Sequence, residues 1–163
     1  MIYTNILENL KNYSSKMKIS QIIIFFQRQN ILFTKTMIQN YVRIGLLPPP
    51  VEKRYYNKKH IIFLTIINEL KAIYSLEEIK NIFISINYME IKEEDLAQLY
   101  LAYLNLTQVV SEDISTFLEA VHNKINKLSL GPAFTAENLN DKKAVKEFLF
   151  PFILSMVYNN VKK

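Results

Sequence analysis

Apolar residues recur every three or four positions through most of the chain, and polar breaks cut the pattern into helix-sized pieces. Ile2, Ile6, Leu10 and Tyr13 mark a short helix within 1–17. Ile22, Phe25 and Phe26 mark a second over 18–30, with Ser20 as its cap. The run QIIIFF also suits a strand, but a helix here fits the turn and helix that follow. Residues 30–33 read as a turn, and Thr34 as the N-cap of a third helix reaching Arg43. Gly45 stands where a left-handed residue ends a helix, and Leu46 and Leu47 return to the core. Pro48, Pro49 and Pro50 then force an extended chain. Residues 51–56 follow as a small hairpin or extended loop.

Asn57 caps a helix over 60–74 whose stripe is Ile61, Leu64, Ile67, Leu70 and Ile73. Ser75 and Glu78 form a capping box opening a helix with Ile79, Ile82 and Phe83 inward. A longer stripe begins after Glu93, Glu94 and Asp95, whose charges suit a helix N-terminus. It steps through Leu96, Leu99, Tyr103, Leu106, Val110, Ile114, Phe117, Val121, Ile125 and Leu128. Tyr100, Leu104 and Leu118 widen it beyond a two-helix seam. Such length suits a dimer interface centred on Leu106, Val110, Ile114, Phe117 and Val121, or an intrachain bundle with 141–163. Gly131-Pro132 ends this helix, and Asp141 caps a last helical region containing Pro151. Phe134, Phe148, Phe150, Phe152 and Tyr158 read as core rather than as the lining of a small-molecule effector pocket. The fold class expected is all-α, with domains over 1–86 and 87–163.

Half of the residues are hydrophobic, which argues against disorder. The absence of Cys excludes disulfides and thiolate metal sites. No secretory h-region opens the chain and no apolar run is long enough for a membrane span, so a cytoplasmic protein is expected. There is no glycine-rich phosphate loop, nucleophile elbow or zinc-protease motif. Glu77-Glu78 and Glu93-Glu94-Asp95 are accounted for by helix starts. Neither an enzyme nor a cofactor is expected.

Charge is placed unevenly. From Lys16 to His60 the chain carries Lys16, Lys18, Arg28, Lys35, Arg43, Lys53, Arg54, Lys58 and Lys59 against Glu52 alone. Nine against one gives +8 in a chain of net +5, leaving −3 elsewhere. The abundance of Ile, Asn, Lys and Tyr matches an AT-rich coding bias, but bias does not put all three arginines in this segment. A basic segment of this kind is the footprint of a polyanionic partner.

Within it, Thr36, Gln39, Asn40 and Arg43 fall on one face of the third helix, with Met37, Ile38, Tyr41 and Val42 opposite. Gln and Asn pair with adenine, and Arg with guanine or phosphate. The first-turn Lys35, the loop residues Lys53 and Arg54, and Lys58 and Lys59 suit phosphates. A solvated helix face is the plainer alternative.

NYVRIGLLPPP, RYYNKKHI and AIYSLEEIKNIF, in that order, resemble the DNA-binding domain of the MerR family of bacterial regulators. TKTMIQNYVR and PPPVEKRYYNKKH are still more similar to a bacterial family of uncharacterised MerR-like proteins. The resemblance covers the middle third of the chain. It implies a winged helix-turn-helix domain with Gln39, Asn40 and Tyr41 on the recognition helix and Arg54 and Tyr55 on the wing. It further implies a long dimerisation helix behind that domain. Departures from MerR are Gln39-Asn40 for its Arg-Tyr pair, Val42 for its Glu, a shorter wing without Asn-Gly, and Lys58, Lys59 and His60 in place of acids. The function expected is a homodimeric transcriptional regulator on double-stranded DNA, with no membrane partner. The alternative is a protein-interaction module on the same scaffold without DNA binding.

Overall fold

The structure, a computed structural model, describes residues 6–107, 123 and 149–151. Its helices are α1 (Ile6–Leu10), α2 (Ile19–Gln27), α3 (Lys35–Arg43), α4 (Lys58–Leu70), α5 (Leu76–Ser85) and α6 (Glu93–Thr107). Among the described residues there is no strand, only two isolated antiparallel bridges, so the described chain is all-α. The chain divides into two compact units, Met1–Asn68 and Glu69–Lys163, the division falling inside α4. No helix among the described residues is long and apolar enough to cross a membrane.

In the first unit α1 ends at Leu10, short of the Met17 end expected for a 1–17 helix. It buries Ile6 and Leu10 and then ends in turns, with Lys11 N–H donating to Glu8 O at 3.2 Å. Ser14 takes over the local hydrogen bonding, its Oγ accepting from Lys16 N–H at 3.1 Å. Met17 is then extended and exchanges two 2.8 Å backbone bonds with Tyr56. α2 starts one residue after Lys18, whose N–H is accepted by Gln21 Oε1 at 2.7 Å. Ser20, the expected cap, lies inside the first turn, because Gln21 already satisfies the backbone there.

α2 and α3 end in the same way. Ile31 N–H reaches back to Phe26 O and Asn30 N–H to Gln27 O, with Asn30 at φ 59°. Leu46 N–H reaches Tyr41 O and Gly45 N–H reaches Val42 O, with Gly45 at φ 72°. Both are Schellman caps, which place a left-handed residue just past the helix. Between them an aromatic ladder runs Tyr13–Phe25–Phe26–Phe33–Tyr41, each step edge-to-face with centroids 4.8–6.4 Å apart. Each such contact adds about 0.5–1.5 kcal/mol to the area buried. The ladder therefore locks the angle between α2 and α3.

Along α4, Ile61 to Ile67 are buried without interruption, where the sequence stripe marked only one face. A helix apolar all round belongs at the centre of a core. Thr65, the polar residue in that run, returns its hydroxyl to Ile61 O at 2.9 Å.

In the second unit the capping box forms as expected. Ser75 Oγ accepts from Glu78 N–H at 3.3 Å, and Ser75 N–H donates to Glu78 Oε2 at 2.7 Å. The Ser75 N–H and, at 2.9 Å, the Ser75 hydroxyl both donate to Glu78 Oε2 and hold its carboxyl below its usual pKa. α5 buries Ile79 and Phe83 and closes on Asn87, at φ 51°, in a third Schellman cap. α6 opens on Glu93, Glu94 and Asp95 and buries Leu96, Leu99 and Tyr100. Leu106 lies in α6, while Val110, Ile114, Phe117 and Val121 lie outside the described residues. Of the five C-terminal aromatics only Phe150 is described, and it is exposed.

Candidate nucleic-acid interface

The basic segment lies wholly within the first unit. Its centre is α3, whose amphipathic pattern determines what it buries. Thr34 caps it, Oγ1 accepting from Met37 N–H at 3.1 Å. Ile38 and Tyr41 go into the core, and Lys35, Thr36, Gln39 and Arg43 stay exposed. Asn40 is half-buried, and its Oδ1 accepts from Arg43 Nη2 at 2.6 Å. This bond joins neighbours on the helix face, so Arg43 and Asn40 present one combined edge.

Tyr41, expected among the DNA contacts because the resemblance puts it in the recognition helix, is instead 5 % exposed, with its ring edge on Phe33. Burial also raises the pKa of its phenol. Ile38, three residues earlier, faces the same core, so helical periodicity leaves Tyr41 no outward position.

Past the prolines, the chain forms a hairpin too short to register as a strand pair. Val51 and Tyr55 exchange two backbone bonds of 2.7 and 2.9 Å, and Arg54 N–H closes the turn on Val51 O at 3.2 Å. Glu52 and Lys53 both take positive φ, 52° and 62°. A tight turn between twisted strands needs two such residues in succession, which is why Asn-Gly is favoured there. This chain makes the turn without either, against a steric cost of about 1–2 kcal/mol per residue. Lys53 and Arg54 are exposed at its tip, and Tyr55 is half-buried behind them.

Lys16, which its sequence position does not mark as a site residue, belongs to this cluster. The Met17–Tyr56 bridge brings the N-terminal arm beside the hairpin. Lys16 Nζ then lies 2.5 Å from Glu52 Oε1 and 5.5 Å from the centre of the Tyr55 ring. The Arg54 guanidinium stacks on the same ring at 4.9 Å. The contact spans 36 residues of sequence, and no local pattern announces it.

The hairpin base is pinned by His60, 2 % exposed. Its Nε2 faces the carbonyls of Pro48 and Pro49 at 3.1 and 3.3 Å, where an Nε2–H donates to them. Nδ1 lies 3.1 Å from Asn57 N and 2.8 Å from Asn57 Oδ1, and Asn57 Oδ1 accepts from His60 N–H at 3.2 Å. Asn57 therefore caps α4 as expected, with a histidine where a capping box usually has Glu or Gln. Burial lowers the His60 pKa; the two proline carbonyls oppose the shift, and the charge of Lys59 adds to it.

Lys58 and Lys59, both half-buried, occupy the first turn of α4. The helix dipole disfavours cations at that end, so their placement does not serve helix stability. Among the described residues, Lys35, Arg43, Lys53, Arg54 and Lys58 have no carboxylate partner.

A family model spans residues 14–106, more than half of the chain, including α2 to α5 and most of α6. The chain belongs to the DUF1836 family, a domain of unknown function. The DUF1836 match takes in Lys16, α3, the hairpin and the start of α4, so the whole basic segment is family territory. No curated protein and no solved structure matches the chain.

Proposed function

We propose that residues 16–60 bind double-stranded DNA, with α3 entering the major groove as the second helix of a helix-turn-helix. The 51–55 hairpin lies on the phosphate backbone as a wing. The protein then acts as a cytoplasmic, MerR-like transcriptional regulator that is homodimeric through its second half. The observation that carries this reading is the division of α3. Ile38 and Tyr41 are held by the core, while Lys35, Thr36, Gln39 and Arg43 are exposed in a segment of net +8. Gln39 and the Asn40–Arg43 edge supply base contacts, and Lys53, Arg54, Lys58 and Lys59 supply phosphate contacts.

The test is binding of the full chain to duplex DNA, first of random sequence and then of sequences selected from a random pool. Log affinity should fall linearly with log salt. Gln39→Ala and Asn40→Ala should each cost about 1–3 kcal/mol at the selected site and relax its sequence preference. Arg54→Ala should weaken all sequences alike and reduce the salt slope by roughly one unit. A chain that binds no duplex at low salt ends the proposal.

A further inference from the structure

Glu52 is the only acidic residue between Lys16 and His60, and it sits at the tip of the basic 51–55 hairpin. We infer that Lys16, Arg54 and Tyr55 form a phosphate subsite whose anion position Glu52 fills in the free protein. The Glu52 carboxylate holds, on the Lys16 ammonium, the place that a backbone phosphodiester oxygen takes in the complex. The inference rests on the DNA-binding reading above and identifies how one part of that surface is regulated.

The geometry is built by the fold. Met17 and Tyr56 pair through two backbone bonds, which sets Lys16 beside the hairpin. The Tyr55 ring has two cations over it, Lys16 Nζ at 5.5 Å and the Arg54 guanidinium carbon at 4.9 Å from its centre. An aromatic ring attracts cations through its quadrupole, so Tyr55 draws together two charges that would otherwise separate. Two positive charges against one carboxylate leave the cluster net positive. A carboxylate and a phosphodiester present the same chemistry to an ammonium, an anionic oxygen accepting charge-assisted hydrogen bonds.

Two further features suit a replaceable occupant. The Lys16 and Glu52 side chains are 53 % and 52 % exposed, and a solvated pair of this kind is weak and open to exchange. Glu52 also occupies a φ of 52°, where Gly or Asn would sit at lower cost. Backbone preference therefore does not favour Glu at this position. The consequence is a uniform brake: every duplex must displace Glu52 from Lys16, which shortens residence on unspecific DNA without altering which bases are read.

The experiment is a double-mutant cycle on the full chain, read by fluorescence anisotropy on one random-sequence duplex over a salt series. Glu52→Gln should tighten binding by about two- to fivefold at low salt, the range expected of an exposed ion pair. It should also steepen the salt slope, by at most about 0.9, as Lys16 engages a phosphate fully. In a Lys16→Ala background the gain from Glu52→Gln should shrink to the small relief of general repulsion. Thermal melts of all four proteins verify that each is folded. An equal gain in both backgrounds, or none in the wild type, overturns the subsite while leaving DNA binding intact. Failure of both wild type and Glu52→Gln to bind duplex overturns the subsite and the DNA-binding reading together.

Discussion

His60 holds together two parts of the first unit that are twelve residues apart in sequence. One imidazole caps α4 through Asn57 and ties down the carbonyls of Pro48 and Pro49, fixing both ends of the hairpin segment. Burial keeps its pKa below the ordinary 6.5, so the unfolded chain takes up a proton at a pH where the folded chain does not. Its contribution to stability is complete above about pH 6.5 and declines as pH falls from there toward the lower folded value. Thermal melts between pH 8 and pH 5 should show this decline, and His60→Ala should flatten that part of the profile. The same variant should be less stable at pH 7 by about 1–3 kcal/mol, since buried carbonyls lose their donor. A wild-type melting temperature that does not change between pH 7 and pH 5 refutes the assignment of His60 as a buried neutral clamp.

At the scale of elements, the chain repeatedly puts residues other than glycine where the backbone turns left-handed. Asn30 and Asn87 end α2 and α5 in the role that Gly45 fills for α3. Asn is the least costly substitute, because its short polar side chain tolerates that region. Glu52 and Lys53 have no such excuse, and their turn is the most strained local feature among the described residues. Lys53→Gly should therefore raise stability, by up to about 1 kcal/mol after the extra entropy of glycine in the unfolded chain is deducted. It should also weaken duplex binding, because it removes a wing cation. Denaturant melts and anisotropy on the same preparation give both readings, and a loss of stability would mean that the turn is not strained as described.

For the whole molecule, the proposed division of labour puts the +8 segment in the first unit and symmetry in the second. A lone recognition helix reads few bases, whereas a two-fold dimer reads two half-sites at a fixed spacing. The apolar stripe that begins at Leu96 is the surface proposed for that symmetry, with Ile114 near its midpoint. Ile114→Glu would bury one carboxylate against its symmetry mate, which is strongly unfavourable. Sedimentation should find the wild type dimeric at micromolar concentration and Ile114→Glu monomeric, with operator affinity reduced. A monomeric wild type would make the stripe an intrachain core.

What the sequence determined by itself is what depends on near neighbours. Thr34, Asn57, Ser75 with Glu78, and Gly45 were readable because caps act over three or four residues. The inward placement of Ile38 and the outward placement of Gln39 followed from helical period alone. Tertiary structure decided the rest. It ended α1 at Leu10 and paired Met17 with Tyr56, and it buried α4 on every side where one stripe was visible. It set Tyr41, which helical period had put on the apolar face, edge-on to Phe33 in an aromatic ladder. It also assembled Lys16, Glu52, Arg54 and Tyr55 into one cluster. A charge pair 36 residues apart leaves no periodic trace in a sequence, because its geometry exists only once the bridge beside it has closed.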